Sequence, residues 1–278
     1  PFTLPSVSPA IGRSAVVPVQ LDDGAATEPV TLAGDGEFWV TDDGSPFAAD
    51  LCAIIHGHGL KVRRIYAAEA LDIALPEKIS GLVIAAPLKG TDDLFLENAF
   101  LLLKNAAPAL RRAAATGEAI CATVSRLDGA FGCGPASVLT DPLSGGLAGL
   151  SKTASREWPE ITFRAIDLGD FPGTAAMARS LAGELFRRGP LEVGLTPNKR
   201  ITLDMAELAA APAPDSSIIS RGDVVIMTGG GRGVTAATAI ALTMHPGHSC
   251  SCLAGAQNRL WSLPGSAPLA KSPRSSGR

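Results

Sequence analysis

The sequence predicts an α/β fold with a doubly wound parallel sheet, followed by the first strand and helix of a second unit of the same kind. Short apolar runs alternate with longer amphipathic segments through residues 36–205, as β-α-β crossovers require. Aromatic residues make up only 5% of the 278 residues, and the many Ala and Gly residues suit closely packed helices and strands. Residues 223–244 then repeat the pattern as a strand, a glycine turn and a helix.

Seven short segments rich in apolar and β-branched residues are the predicted strands of the first unit. They are Glu37–Thr41, Lys61–Ile65, Gly81–Ala86, Ala119–Ser125, Thr162–Leu168, Glu192–Leu195 and Ile201–Met205, the last two at an edge of the sheet. The predicted helices are Phe47–His58, Asp92–Thr116, Ser144–Trp158 and Ala175–Arg188. Ser45 is the predicted N-cap before Pro46, and Pro108 is expected to kink or divide its helix.

Composition divides the chain into five segments. Residues 1–35 are a lead-in with one or two strands, and 36–205 form a Rossmann-like unit. Residues 206–221, AELAAAPAPDSSIISR, are a linker, and 222–245 open the second unit. Residues 246–278 differ from the rest, because they contain four of the 24 basic residues and none of the 27 acidic ones.

The stretch Asp223–Val234, DVVIMTGGGRGV, has the form of a nucleotide-binding turn. Glycines let the backbone turn tightly and approach a pyrophosphate, and the free N–H groups at the start of the helix can receive the anion. The spacing departs from G-x-G-x-x-G, since Gly229, Gly231 and Gly233 occupy alternate positions and Thr235 stands where a further glycine is expected.

The first unit lacks the corresponding chemistry. Its first β-α turn reads TDDGSPFAAD, with a single glycine, and Asp42 and Asp43 would repel a pyrophosphate. A short-chain dehydrogenase needs Tyr-x-x-x-Lys, so that the ammonium lowers the pKa of the phenol that donates the proton. The only tyrosine is Tyr66, with Ala70 four residues later, so this turn and this unit are predicted to be structural.

Together these features resemble the ketoreductase region of a modular synthase, within the short-chain dehydrogenase/reductase superfamily. The matching stretches, over about residues 36–245, are GLVIAAPLKG, ATVSRLDGAFG, SGGLAGLSKTASREWPEITFRAIDL and VVIMTGGGRGVTAATAIAL. The last two look most like polyunsaturated fatty-acid synthases and related iterative polyketide synthases. In that family a structural Rossmann-like unit precedes a second one, which binds NADPH and reduces a β-ketoacyl group carried by an acyl carrier protein.

The resemblance assigns a cofactor site but no catalytic residue and no metal ligand. It implies that NADPH is held by Thr228, Gly229, Gly230, Gly231, Arg232, Gly233 and Val234. Arg232 is then expected to meet the adenosine 2′-phosphate, the alternative being a solvated arginine at the start of a helix. In the first unit, GLSKTASRE can be aligned with the active-site helix of the family. This alignment puts Ser125, Thr140 and Ser144 where the family has its catalytic serine, tyrosine and lysine.

Net charge and cysteine content limit the partners, the compartment and the metal sites that the sequence predicts. The net charge of −3 gives no strong field for nucleic acid or membrane, and the partners that the resemblance implies are an acyl carrier protein and other synthase domains. Five scattered cysteines predict free thiols in a reducing compartment, the cytoplasm. Cys250 and Cys252 lie near His245 and His248 but lack the paired spacing typical of zinc sites, so no metal is predicted.

The interpretation that follows is a fragment of an NADPH-dependent β-ketoacyl reductase domain, itself inactive because Tyr-x-x-x-Lys is absent. Residues 246–278 have no strand-length apolar run and are expected to lack regular structure, as a disordered basic terminus or an out-of-frame segment. The alternative is a structural or docking module of a multienzyme with no ligand of its own. The missing tyrosine and lysine argue against a stand-alone dehydrogenase.

Overall fold

A computed structural model describes residues 13–22, 29–134, 139, 141–209, 224–229, 232–244, 249–254 and 259–262. The chain divides into two compact units, Pro1–Ala209 and Ala210–Arg278. None of the described helices combines the length and the apolar character that crossing a membrane requires.

The first unit is built on an eight-stranded sheet. Its strands are β1 (Arg13–Gln20), β2 (Glu37–Thr41), β3 (Lys61–Ile65), β4 (Ile79–Ala85), β5 (Ile120–Ser125), β6 (Thr162–Leu168), β7 (Glu192–Thr196) and β8 (Lys199–Leu208). Their order across the sheet is β1-β8-β7-β6-β5-β4-β2-β3. The strands from β3 to β7 are parallel, whereas β8 runs antiparallel to both β7 and β1. The chain leaves β2 toward β3 on one side and returns to β4 on the other.

Helices cover both faces of this sheet. They are α1 (Pro46–Gly57), α2 (Asp93–Ala114), α3 (Gly146–Glu157) and α4 (Thr174–Leu185). The apolar sides of α1 and α4 pack on one face, and those of α2 and α3 pack on the other. Every residue of β4 and β5 is buried, as expected of central strands that helices cover on both faces. The predicted doubly wound α/β fold is confirmed.

Two local predictions differ from the structure. Ser45 occupies the N-cap position of α1, but its side chain makes no capping hydrogen bond. The turn is held instead by Asp43, which accepts a hydrogen bond from the backbone N–H of Ser45 at 3.0 Å. Pro108 was expected to kink or divide its helix, and it does not divide it, because α2 continues through Pro108. Pro108 and Lys104, whose carbonyl loses its partner there, are both exposed, so solvent can satisfy that carbonyl.

The second unit contains one β-α-β crossover. Its elements are β9 (Val224–Thr228), α5 (Gly233–Met244), β10 (Ser249–Ala254) and β11 (Arg259–Ser262). Strands β9 and β10 are parallel, and β11 pairs antiparallel with β10. The buried Ala239 of α5 packs against Met227 of β9.

Strands β10 and β11 correct the expectation that residues 246–278 lack regular structure throughout. They form where the sequence has no strand-length apolar run, because their pairing depends on the backbone hydrogen bonds to β9 and to each other. The rest of that segment lies outside the described residues.

Candidate functional site

The glycine turn of the second unit connects β9 to α5, as its sequence predicted. Thr228 is the last residue of β9, and Gly233 is the first residue of α5. Gly229 has φ +74° and Gly233 has φ +66°, a left-handed backbone that glycine adopts without steric cost. Gly230 and Gly231 lie outside the described residues.

The described part of this turn is open. A Cβ added at Gly229 or Gly233 would meet no heavy atom within 4 Å. Arg232 is exposed, and Val234 is 84% exposed. The start of the 12-residue helix α5 is therefore exposed, and the helix dipole favours an anion there.

The equivalent turn of the first unit, between β2 and α1, is filled by its own carboxylates. Asp42 Oδ1 accepts a hydrogen bond from the N–H of Gly44 at 2.9 Å. Asp43 Oδ1 accepts from the N–H of Ser45 at 3.0 Å, and Asp43 Oδ2 accepts from the N–H of Leu88 at 2.6 Å. These donors are therefore engaged within the protein and are not available to a phosphate group.

The substitution Asp43→Asn is expected to make the free energy of unfolding less sensitive to acid. Burial raises the pKa of Asp43, but hydrogen bonds from Ser45 and the N–H of Leu88, with the charge of Arg126, outweigh it and hold the pKa below its usual range. A lowered pKa contributes stability above the ordinary aspartate pKa, and this contribution is lost as the pH falls through the lowered value. Urea denaturation at pH 7 should show a loss of about 1 kcal/mol in the variant, and the loss should shrink at pH 3.

The exposed Asp72 provides the control for this prediction. Asp72→Asn should leave both the stability and its pH dependence unchanged. An Asp43→Asn variant that is as acid-sensitive as the wild type would show that this carboxylate does not hold the turn.

Two aspartates accept hydrogen bonds from the backbone of the loop after β5. Asp167, fully buried at the end of β6, accepts hydrogen bonds from Ser125 Oγ at 2.8 Å and from the N–H groups of Leu127 at 2.9 Å, Asp128 at 3.3 Å and Phe131 at 2.9 Å. Asp128 in turn accepts from the N–H groups of Ala130, Gly132 and Gly134. Sequence reasoning missed both residues. The only signal was a carboxylate within the predicted strand TFRAIDL.

The serines that the resemblance placed at catalytic positions are buried within this framework. Ser125 Oγ donates to Asp167, as described above. Ser144 Oγ donates to the carbonyl of Asp141 at 2.8 Å and accepts from the N–H of Arg126 at 3.0 Å. Thr140 lies outside the described residues. Both described hydroxyls are engaged in local structure.

The described cysteines are free thiols. They are Cys52, Cys121 and Cys133. Burial raises the pKa of Cys52 to about 11 and raises that of Cys121 as well, so both are protonated at neutral pH. The histidines and cysteines weighed as a zinc site, His245, His248, Cys250 and Cys252, lie outside the residues whose side chains the structure describes.

No family model matches the sequence, and no curated protein matches it. Solved structures do match the fold. An A-type ketoreductase from a modular polyketide synthase aligns with a TM-score of 0.51 at 21% identity, covering 82% of this chain and 50% of its own. The first ketoreductase of the tylosin polyketide synthase aligns with a TM-score of 0.52 at 20% identity, covering 80% of this chain and 46% of its own. An N-terminal ketoreductase from the macrolactin assembly line aligns with a TM-score of 0.53 at 12% identity, covering 87% of this chain and 52% of its own.

The chain therefore has the Rossmann-like fold of these polyketide synthase ketoreductases and spans about half the length of each.

Proposed function

We propose that this chain carries part of an NADPH-dependent β-ketoacyl reductase, in which the first unit is structural and the second holds the cofactor. The observation that carries the proposal is the open turn between β9 and α5, with left-handed glycines on either side of Arg232. The proposed cofactor residues are those of Thr228–Val234. In a β-α-β crossover a pyrophosphate lies at the start of the helix, where backbone N–H groups can receive it.

The preference for NADPH over NADH is assigned to Arg232. Its side chain is exposed beside the turn, and a guanidinium can bind the 2′-phosphate that distinguishes the two cofactors through charge-assisted hydrogen bonds. The bound cofactor would supply a hydride. The chain's own part would be to hold and orient the dinucleotide.

Turnover is not expected of this chain by itself. Tyr66, the only tyrosine, has Ala70 where a lysine is needed, and the two described hydroxyls at catalytic positions of the first unit are buried. The proposed substrate is a β-ketoacyl chain on an acyl carrier protein, in polyketide or fatty-acid synthesis. One structure of the same fold comes from a module that joins adenylation and ketoreductase domains, which supports other synthase domains as partners. Free thiols in the described part support the cytoplasm as the compartment.

Arg232→Gln is expected to raise the Kd for NADPH about tenfold and to leave that for NADH unchanged, because only NADPH carries the 2′-phosphate. Cofactor fluorescence titrations of the full chain measure both values. Arg179→Gln, an exposed arginine of α4, is the matched control and should change neither. An equal loss for both cofactors, or no loss for either, would contradict the assignment of Arg232.

The second candidate function is a structural or docking module that binds no ligand. The first unit favours it, because the N–H donors of its β2–α1 turn are engaged by Asp42 and Asp43. No change of NADPH fluorescence at high protein concentration would favour this module. Oxidation of NADPH by the purified chain with a β-ketoacyl thioester would contradict both candidates.

A further inference from the structure

The first unit has an open cleft of about 970 Å³ beside the carboxyl ends of β4, β5 and β6. Loops after these strands form its walls, the turn between β7 and β8 closes one side, and Pro18 and Gln20 of β1 reach its rim. Ligands of open α/β sheets bind outside the carboxyl ends of the strands. The cleft also has the size of a small-molecule site, whereas neither the proposed cofactor turn nor the filled turn at Asp43 is part of it.

Arg126 is the buried cation of this cleft. The side chain lines the cleft, and the residue is only 9% exposed. Its Nε donates to the carbonyl of Ala86 at 2.8 Å, Nη1 donates to the sulfur of Met177, and the guanidinium stacks 4.7 Å from the ring of Phe47. Its Nη2 has no hydrogen-bond partner among the described residues. A buried donor without an acceptor destabilises the fold, and an incoming oxygen would satisfy it.

The residues that line the cleft around Arg126 carry both signs of charge. Lys89 and Lys199 line the cleft, are exposed, and make no ion pair with any described residue. Of the acidic residues that line it, Asp128 is engaged by three backbone N–H groups, and Asp141 Oδ2 accepts from Thr91 Oγ1 at 2.7 Å. Asp170 is exposed at the rim.

The guanidinium of Arg126 is protonated at neutral pH. Burial lowers its pKa to about 10, against the opposing effect of the Asp43 and Asp141 carboxylates.

We propose that this cleft binds a small organic anion. One oxygen of its carboxylate or phosphate accepts from Nη2 of Arg126, and the two lysines attract its charge from the rim. An apolar body lies against Leu88, Leu168 and Ile201, which line the same cleft. The site goes beyond the proposed function, because it lies within the first unit and requires no cofactor.

Binding to the full chain can be tested with three six-carbon probes: hexanoate, hexyl phosphate and the neutral 1-hexanol. Saturation-transfer NMR and calorimetric titration should give a Kd for at least one anion about tenfold lower than that for hexanol. The anion with the lower Kd identifies the head group that the cleft prefers. Saturating NADPH should displace neither anion. Equal binding of hexanol and the anions, or displacement by NADPH, would overturn the proposal.

Variants connect the binding to these residues. Arg126→Gln should abolish the preference for anions. Because Arg126 is buried, replacing it can also destabilise the fold, so Lys89→Gln combined with Lys199→Gln provides a second test with surface changes only. The double variant should weaken anion binding about three- to tenfold and leave hexanol binding unchanged. Lys104→Gln, an exposed lysine of α2 outside the cleft, is the control. An unchanged anion affinity in the double variant would contradict the site.

Discussion

Asp167→Asn is expected to lower the unfolding free energy of the first unit by about 3 kcal/mol. Asp167 is fully buried, and each carboxylate oxygen accepts two hydrogen bonds from the chain around it. An amide keeps only one acceptor oxygen. One orientation of Asn turns its NH2 group toward the N–H groups of Asp128 and Phe131, and the other turns it toward Ser125 Oγ and the N–H of Leu127. In either case at least one backbone N–H loses its acceptor beside a side chain that is fully buried.

Urea denaturation followed by circular dichroism measures this loss. Asp170→Asn is the matched control, since Asp170 follows the same strand but is exposed, and its stability should change by less than about 0.5 kcal/mol. Equal stability of the Asp167→Asn variant and the wild type would show that the buried carboxylate does not organise the loop.

Gly194→Ala is the second large effect that we expect, again about 3 kcal/mol. A Cβ at Gly194, in the middle of β7, would lie 2.1 Å from the carbonyl oxygen of Gly129. The obstructing atom belongs to the backbone, so no side-chain rotation can relieve the clash. Gly129 has little room to move, because it has φ +75° and a Cβ built there would lie 2.8 Å from the carbonyl oxygen of Leu195 and 3.1 Å from the nitrogen of Gly169.

The control is a glycine in open space. Gly183 lies within α4, where an added Cβ would meet no heavy atom within 4 Å. Gly183→Ala should therefore be neutral or stabilise the unit by up to about 1 kcal/mol through helix propensity. Thermal unfolding of the two variants should move in opposite directions. A Gly194→Ala variant with the wild-type midpoint would contradict the close packing of this loop against β7.

Much of the fold was predictable because its signals are local. Most strands of the first sheet contain a short apolar or β-branched run, and β6 has the bounds that the sequence predicted, Thr162–Leu168. The turn between β9 and α5 was predictable for the same reason, since its glycines directly follow an apolar run.

The features that the sequence did not predict depend on contacts between distant residues. Asp167 binds a loop about 40 positions earlier in the chain, and Arg126 reaches Met177 about 50 positions later. Strand β10 consists mainly of small residues and forms by pairing with β9. No periodicity or motif in one sequence records such pairings, because hydrogen bonds of this kind leave no pattern along the chain.

The two units place different groups at the same kind of turn. In the first unit, Asp42 and Asp43 place negative charge at the turn and accept hydrogen bonds from the N–H groups of Gly44, Ser45 and Leu88. In the second unit, the described glycines leave open space and Arg232 is exposed. The proposed division into a structural unit and a cofactor-holding unit depends on this difference in charge and occupancy.

Hydrogen exchange of the full chain with and without NADPH, read by mass spectrometry, tests this division most directly. We expect NADPH to slow exchange in peptides that contain Thr228–Val234 and to leave peptides of the Thr41–Ser45 turn unchanged. Slower exchange at Thr41–Ser45, or no change at Thr228–Val234 under saturating NADPH, would contradict the account.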